Sequence, residues 1–153
     1  MTRKRGVSLL ATTALLALTA CGGTAAKPGK DPDAGKQAAD TTTCSADAKQ
    51  LSSLPAGFPK GFYFPDRTTV FHAEDRGADG VIVTGISRLS LKDVIAAYNG
   101  PAQKAGWKIT NGETETHDAE ANWEGNGYRG RWALKDSASC PGELVVQVLA
   151  KKG

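Results

Sequence analysis

Ala119-Glu120-Ala121-Asn122-Trp123-Glu124-Gly125-Asn126-Gly127-Tyr128-Arg129-Gly130-Arg131-Trp132-Ala133-Leu134 is the stretch whose reading decides the fold. Two runs with apolar residues at alternate positions flank Gly125-Asn126-Gly127, and Asn-Gly is the dipeptide that supplies the two positive φ angles of a tight hairpin turn. Taking Asn126-Gly127 as a two-residue turn fixes the register of everything beside it. Trp123 then faces Gly130 and Ala121 faces Trp132, large against small on one side, while Glu124 meets Arg129 on the other. Turn chemistry and apolar pattern agree, so the region is read as an antiparallel hairpin with one buried face.

Working outward, Thr68 to His72 and Gly80 to Ser87 read as two strands, and the charged segment Ala73 to Asp79 suits the loop between them. A helix follows. Ser90 is its N-cap, Asp93 completes a capping-box variant, and Leu89 is placed to staple against Val94. Leu91, Val94, Ile95 and Tyr98 fall on one face, as expected of a helix packed on a sheet. Pro101 breaks or kinks it, and Gly106 suits its end. Trp107 to Thr110 starts a third strand, which either continues or turns at Asn111-Gly112 into Glu113 to His117. Gly142 to Ala150 is a last, largely buried strand in which Gln147 is the one mismatch. Ala46 to Ser53 is expected as a short helix. Leu54 to Pro65 alternates proline with aromatics, and repeated proline favours extended backbone. It reads either as a strap over the core or as an exposed aromatic strip for a partner, and the strap is the simpler of the two. The fold class is therefore α+β, an antiparallel sheet of about five to six strands packed on one main helix.

The chain has 153 residues and a formal charge of +3. Of its 19 Lys and Arg, three are Arg3, Lys4 and Arg5, which leaves 16 basic residues against all 16 acidic ones from residue 21 onward. The basicity belongs to the N-terminus, so it is no footprint for nucleic acid. Behind Arg3-Lys4-Arg5, the uncharged run Val7 to Ala20 is too short to span about 30 Å of hydrocarbon and has the build of a secretory signal peptide. It ends in Leu18-Thr19-Ala20-Cys21-Gly22, which resembles the lipobox of bacterial lipoproteins. That resemblance implies a lipid on the Cys21 sulfur, cleavage just before it, and anchoring at the extracytoplasmic face of the cell membrane; an ordinary signal peptide cut near Ala20 is the alternative. Residues 1–20 are then the signal peptide. Residues 21–43, built from Gly, Thr, Ala, Lys, Asp and Pro, have too little apolar area to offset ordering. They read as a lipidated Cys and a disordered tether with a reach of about 25 Å. The extracytoplasmic domain is expected over residues 44–153.

Cys44 and Cys140 are the remaining cysteines, an even number in an exported chain. A disulfide between them is the economical reading and two free thiols the alternative. Such a bridge would close a loop of roughly 100 residues, for which chain entropy gives at most about 4.7 kcal/mol.

No catalytic signature stands out. His72 has Glu74 and Asp75 nearby, and His117 sits in Glu113-Thr114-Glu115-Thr116-His117-Asp118. On an extended strand Glu113, Glu115 and His117 would share one face, a pattern suited to acid-base work or an oxygen-rich metal site. The plainer reading is a solvated strand face, and no zinc spacing occurs. His117, Glu115 and His72 are thus the weak catalytic candidates, with no metal and no cofactor expected. There is no G-x-S-x-G elbow and no S-x-x-K. Gly125-x-Gly127-x-x-Gly130 has the letters of a dinucleotide fingerprint but leads into a strand rather than a helix. Arg129 and Arg131 alternate with Tyr128 and Trp132, so cations and rings point to opposite faces and cannot share a ligand.

Leu54 to Pro59, Ser90 to Tyr98, Ala105 to Ile109 and Glu124 to Trp132 together resemble small uncharacterised secreted lipoproteins of actinobacterial type. The resemblance implies fold and location and carries no activity. The expectation is a non-enzymatic, lipid-anchored domain that binds an envelope protein, polymer or small ligand, the alternative being a small envelope hydrolase with a His and carboxylate site. Cys21→Ser should release the protein or leave it as unprocessed precursor, read by membrane fractionation and intact mass; unchanged retention of a processed chain would remove the lipid anchor.

Overall fold

The computed structural model describes residues 43–153. The expected signal peptide, the expected lipidation site Cys21 and the expected tether as far as residue 42 lie outside the described residues. Six strands, β1 (Thr68–Asp75), β2 (Val81–Ser87), β3 (Lys108–Thr114), β4 (Asp118–Gly125), β5 (Tyr128–Asp136) and β6 (Leu144–Lys152), form one antiparallel sheet in the order β1-β2-β6-β5-β4-β3. After the β1–β2 hairpin, helix α1 (Leu91–Ala97) leads from β2 to the far edge strand β3. The meander β3–β4–β5 then returns, and β6 fits between β5 and β2. This is the α+β architecture expected from the sequence.

Asn126 (φ 49°) and Gly127 (φ 78°) form the tight turn, and the register is the one their chemistry sets: Trp123 opposite Gly130, Ala121 opposite Trp132, Glu124 opposite Arg129. Gly130 is fixed by space. A Cβ there would run into the Leu149 carbonyl oxygen and come within 2.6 Å of the Trp123 ring. Trp123 therefore lies over a strand that has no side chain beneath it.

The helix starts as its sequence predicts, with the Asp93 amide donating to Ser90 Oγ at 3.2 Å and the Ser90 hydroxyl donating to Asp93 Oδ2 at 2.7 Å. Pro101 bends the hydrogen-bonding pattern rather than ending the helix: Tyr98–Ala102 form a π-helical turn, the wider loop that accommodates a residue without an N–H. The chain leaves it with Gly106 at φ 91°. Val94 and Tyr98 face the sheet and are fully buried.

The segment from Leu54 to Pro65 is a strap. Phe58 and Phe62 are buried, and the Phe62 ring lies 4.9 Å from Trp123 and 5.2 Å from Trp107. The aromatics face inward, so the exposed strip is overturned by their burial. Helix, strap and inner sheet face enclose one core, with Trp123, Trp132, Leu134, Val146 and Val148 on the sheet side. A smaller apolar cluster, Ile86, Ala133 and Val145, lies apart from it with Ala48 and Phe71 packed against it.

Two local expectations change, and one open alternative is decided. Residues 46–53 are not helical. A turn after Cys44 is closed by Asp47 and Ala48 amides donating to its carbonyl, and the chain then extends so that the Leu51 amide reaches the Val70 carbonyl at 2.8 Å. So short a segment gains little from helix formation, while β1 supplies hydrogen bonds and the sheet an apolar surface for Ala48. Of the two alternatives at Asn111-Gly112, the strand continues through them as part of β3, with a register irregularity between Ile109 and Asn111. Gln147 is no mismatch, because it stands half-exposed between Thr84 and Ala133, on the face away from Val146 and Val148. Cys44 and Cys140 are joined in a disulfide across a separation of 96 residues.

Gly130→Ala should lower stability by about 2–3 kcal/mol, measured by thermal or urea unfolding. A variant as stable as the parent would show that Trp123 does not need the space above Gly130.

Candidate functional site

At one end of the sheet, the end of β3, the end of β5, the start of β6 and the first turn of α1 surround a groove of about 730 Å³. Each wall has a local reason. The capping of Ser90 presents Leu91 and Ile95 toward the groove, and with Leu89 and Leu144 they form its apolar part. Thr114, Glu115 and Thr116 come from the β3–β4 connection. Asp136 and Ser137 leave β5, and Gly142 and Glu143 lead into β6. Hydroxyls and carboxylates thus rim an apolar floor, with Lys92 as the single Lys or Arg lining it.

The β5–β6 loop is tightly tied. Ser137 Oγ accepts from the Cys140 amide at 3.1 Å, the Ser137 amide donates to the Glu143 carbonyl at 2.9 Å, and the Glu143 amide donates to the Cys140 carbonyl at 3.0 Å. The disulfide then brings Ser45 onto this loop. Its amide donates to Glu143 Oε2 at 2.8 Å and its hydroxyl to Glu143 Oε1, while Arg88 Nε donates to Ser45 Oγ at 2.8 Å. Partial desolvation pushes the Glu143 carboxyl upward, but the Ser45 hydroxyl and amide and the Arg88 charge outweigh it and hold the pKa below the ordinary 4.5.

The sequence candidates do not form one centre. β3 ends at Thr114, and Glu115, Thr116 and His117 make the turn into β4, closed by the Glu115 amide on the Asp118 carbonyl at 2.8 Å. The period-two face of Glu113, Glu115 and His117 is therefore interrupted, because a strand's alternation stops where its pairing stops. Glu113 instead lies opposite Glu120. His117 Nδ1 pairs with Asp136 Oδ2 at 3.0 Å, with side chains 77% and 51% exposed. His72 is exposed on β1, at the opposite edge of the sheet from β3. Its neighbour Glu74 pairs with Arg76 at 3.0 Å, which holds the Glu74 carboxyl below its ordinary value.

Asp136 and Glu143 were not singled out in the sequence. Asp136 had a signal: the register set by Asn126-Gly127, carried to the far end of the hairpin, puts His117 opposite it, and the Asp136 amide donates to the His117 carbonyl at 2.9 Å. Glu143, Ser45 and Arg88 are joined only by the tertiary path of the disulfide and had none.

Cys44, Cys140 and Glu143 form a group of three potential metal ligands whose donor atoms lie within 4.8 Å of one another. With the sulfurs bonded to each other neither is a thiolate, the form that ligates metal. On the sheet face opposite the core, Arg131 and Glu120 form an ion pair with side chains 13% and 18% exposed, so this arginine is engaged within the sheet. Trp132 is buried on the opposite face and Arg129 is exposed, the separation of rings and cations that alternation predicts. No helix among the described residues is long and apolar enough to cross a membrane. Comparison with protein-family models, with curated proteins and with solved structures returned no match.

Glu143→Gln should lower stability at neutral pH by about 1 kcal/mol, the strength of a hydrogen bond to a charged group discounted for solvent. Because the folded carboxyl binds its proton less readily than the unfolded one, its contribution is fully present above the ordinary value of 4.5 and is lost as pH falls through the lowered folded value. Urea unfolding of parent and variant should therefore converge in acid. A gap that persists there would assign the loss to packing instead.

Proposed function

We propose that the chain is a lipid-anchored binding domain at the extracytoplasmic face of the cell membrane, and that the groove beside α1 receives its ligand or partner. The observation that carries the reading is the composition of that groove: Leu89, Leu91, Ile95 and Leu144 offer apolar surface, and Thr114, Thr116, Ser90 and Ser137 offer polar groups around it. Pockets that bind small molecules or peptide segments commonly combine an apolar lining with a few convergent polar groups. The hydrolase reading has less support. A general base works best held in a defined, sheltered geometry, whereas His117, Asp136, Glu115 and His72 all stand in solvent.

Location rests on the sequence. Arg3-Lys4-Arg5, the uncharged run after it and Leu18-Thr19-Ala20-Cys21 support export and lipidation, two acyl chains being enough for stable anchoring. The near-neutral mature charge supports a partner recognised by shape and hydrogen bonds rather than a polyanion.

A photocrosslinking side chain at Lys92, on the groove, should capture a discrete adduct in intact cells, while the same group at Lys151, on β6, should not. Thr114→Arg, which places a long side chain at the groove mouth from an exposed position, should reduce the Lys92 adduct at least several-fold. Equal capture from both positions, insensitive to Thr114→Arg, would reject the groove as the binding site.

A further inference from the structure

The two edges of the sheet are finished differently. Along β1 the chain supplies its own cover: the Leu51 amide donates to the Val70 carbonyl at 2.8 Å, and the Val70 amide donates to Gln50 Oε1 at 3.0 Å. β3 has no such cover. It pairs with β4 alone, and six of its seven residues are exposed. Among the described residues, no backbone hydrogen bond beyond the β4 ladder reaches Lys108 to Thr114. An open edge is a template for another strand.

The faces of β3 are set by β4. Lys108, Asn111 and Glu113 stand opposite Glu124, Asn122 and Glu120, on the sheet face away from the core, whereas Ile109 and Gly112 stand opposite Trp123 and Ala121, on the core face. Ile109 and Gly112 are three residues apart, and in a regular strand an odd separation puts two side chains on opposite faces. The irregularity between Ile109 and Asn111 returns both to one face.

The backbone follows the same count. The Asn126-Gly127 turn makes Gly125 and Tyr128 the hydrogen-bonded pair that closes the hairpin, so by alternation Glu124, Asn122 and Glu120 turn their N–H and C=O toward β3. Lys108, Asn111 and Glu113 meet them there. Ile109 and Gly112 are left with N–H and C=O directed to the open edge.

An ordinary strand laid along this edge falls out of step at the bulge. A second β3 does not, because an identical strand running antiparallel, about a two-fold axis between Thr110 and Asn111, has the same irregular spacing at the same place. Ile109 of each copy then lies opposite Gly112 of the other, large against small as Trp123 lies against Gly130, and Lys108 lies opposite Glu113 on the outer face. Charges that commonly guard an edge are here complementary to their own reversed order.

We propose that β3 is a self-recognition edge, through which two copies of the chain join their sheets into one. Two strands of seven residues bury less than the roughly 1,200 Å² of a standard interface, so the pairing is weak and reversible. The inference does not depend on the groove or on membrane anchoring.

The full chain carrying Cys21→Ser, which removes the one cysteine outside the disulfide, is the material for the test. Sedimentation equilibrium should show monomer and dimer exchanging between micromolar and millimolar concentration, and hydrogen exchange at the Ile109 and Gly112 amides should slow as dimer forms. Lys108→Glu and Glu113→Lys each set like charges together at two symmetric places and should weaken the dimer at least about tenfold. Both side chains are exposed, so the swaps leave the core untouched. Both swaps in one chain should restore the dimer, and an equimolar mixture of the two single variants should form a mixed dimer that neither forms alone. A parent that stays monomeric over that range, a dimer insensitive to the single swaps, a double swap no stronger than the singles, or exchange at Ile109 and Gly112 independent of concentration would each overturn the proposal.

Discussion

Trp123 over Gly130 is the contact on which the rest of this domain depends. A large indole can cross a neighbouring strand only where that strand has no side chain, and the Asn126-Gly127 turn brings the glycine opposite it. A slip of one residue would send both tryptophans of the hairpin to solvent. With the register held, Trp123 and Trp132 face the same way, Phe62 and Tyr98 close over them, and strap and helix acquire a surface to pack on. A sheet with one such face can support a chain of this size, because aromatic side chains bury the most area per residue.

The second constraint is the disulfide, and its effect reaches further than loop entropy. By tying Cys44 to the β5–β6 loop it draws residues 44–51 along the sheet, setting Ala48 against Ile86, Ala133 and Val145 and delivering Leu51 to β1. Backbone that an isolated sequence window would assign to a helix becomes a covering segment. The same tie places Ser45 on Glu143, so a covalent link, a hydrogen-bond relay and one wall of the groove are parts of a single arrangement.

What the sequence made legible follows from the range of the forces involved. The turn, the helix cap and the buried strands were readable because Asn126-Gly127, Ser90 with Asp93 and Leu144 to Leu149 act within a few residues of themselves. Burial of the strap aromatics was readable as the plainer of two options, since proline-rich extended chain with four rings needs a surface to cover. The helix expected at 46–53 failed because its competitor, the edge of β1, is remote in sequence. The face shared by Glu113, Glu115 and His117 failed for a related reason: where β3 stops depends on the pairing of β4, and the turn at 115–117 ends the alternation that the reading assumed. The His117–Asp136 contact lies between these cases, local to the hairpin register yet visible only when that register is followed to its end.

These placements bear on chemistry. A surface His and Asp pair holds its geometry poorly, because water competes for both partners and the side chains lose rotamer freedom to meet. The polar groups held most firmly are Ser137, buried against the Cys140 amide, and Glu143, bound by Ser45. Both act on backbone, fixing the loop that borders the groove. Rigidity among the described residues is therefore invested in the shape of a surface. A fixed groove between a capped helix and a disulfide-tied loop loses little freedom when a ligand arrives, which is what supports the proposal of a binding domain.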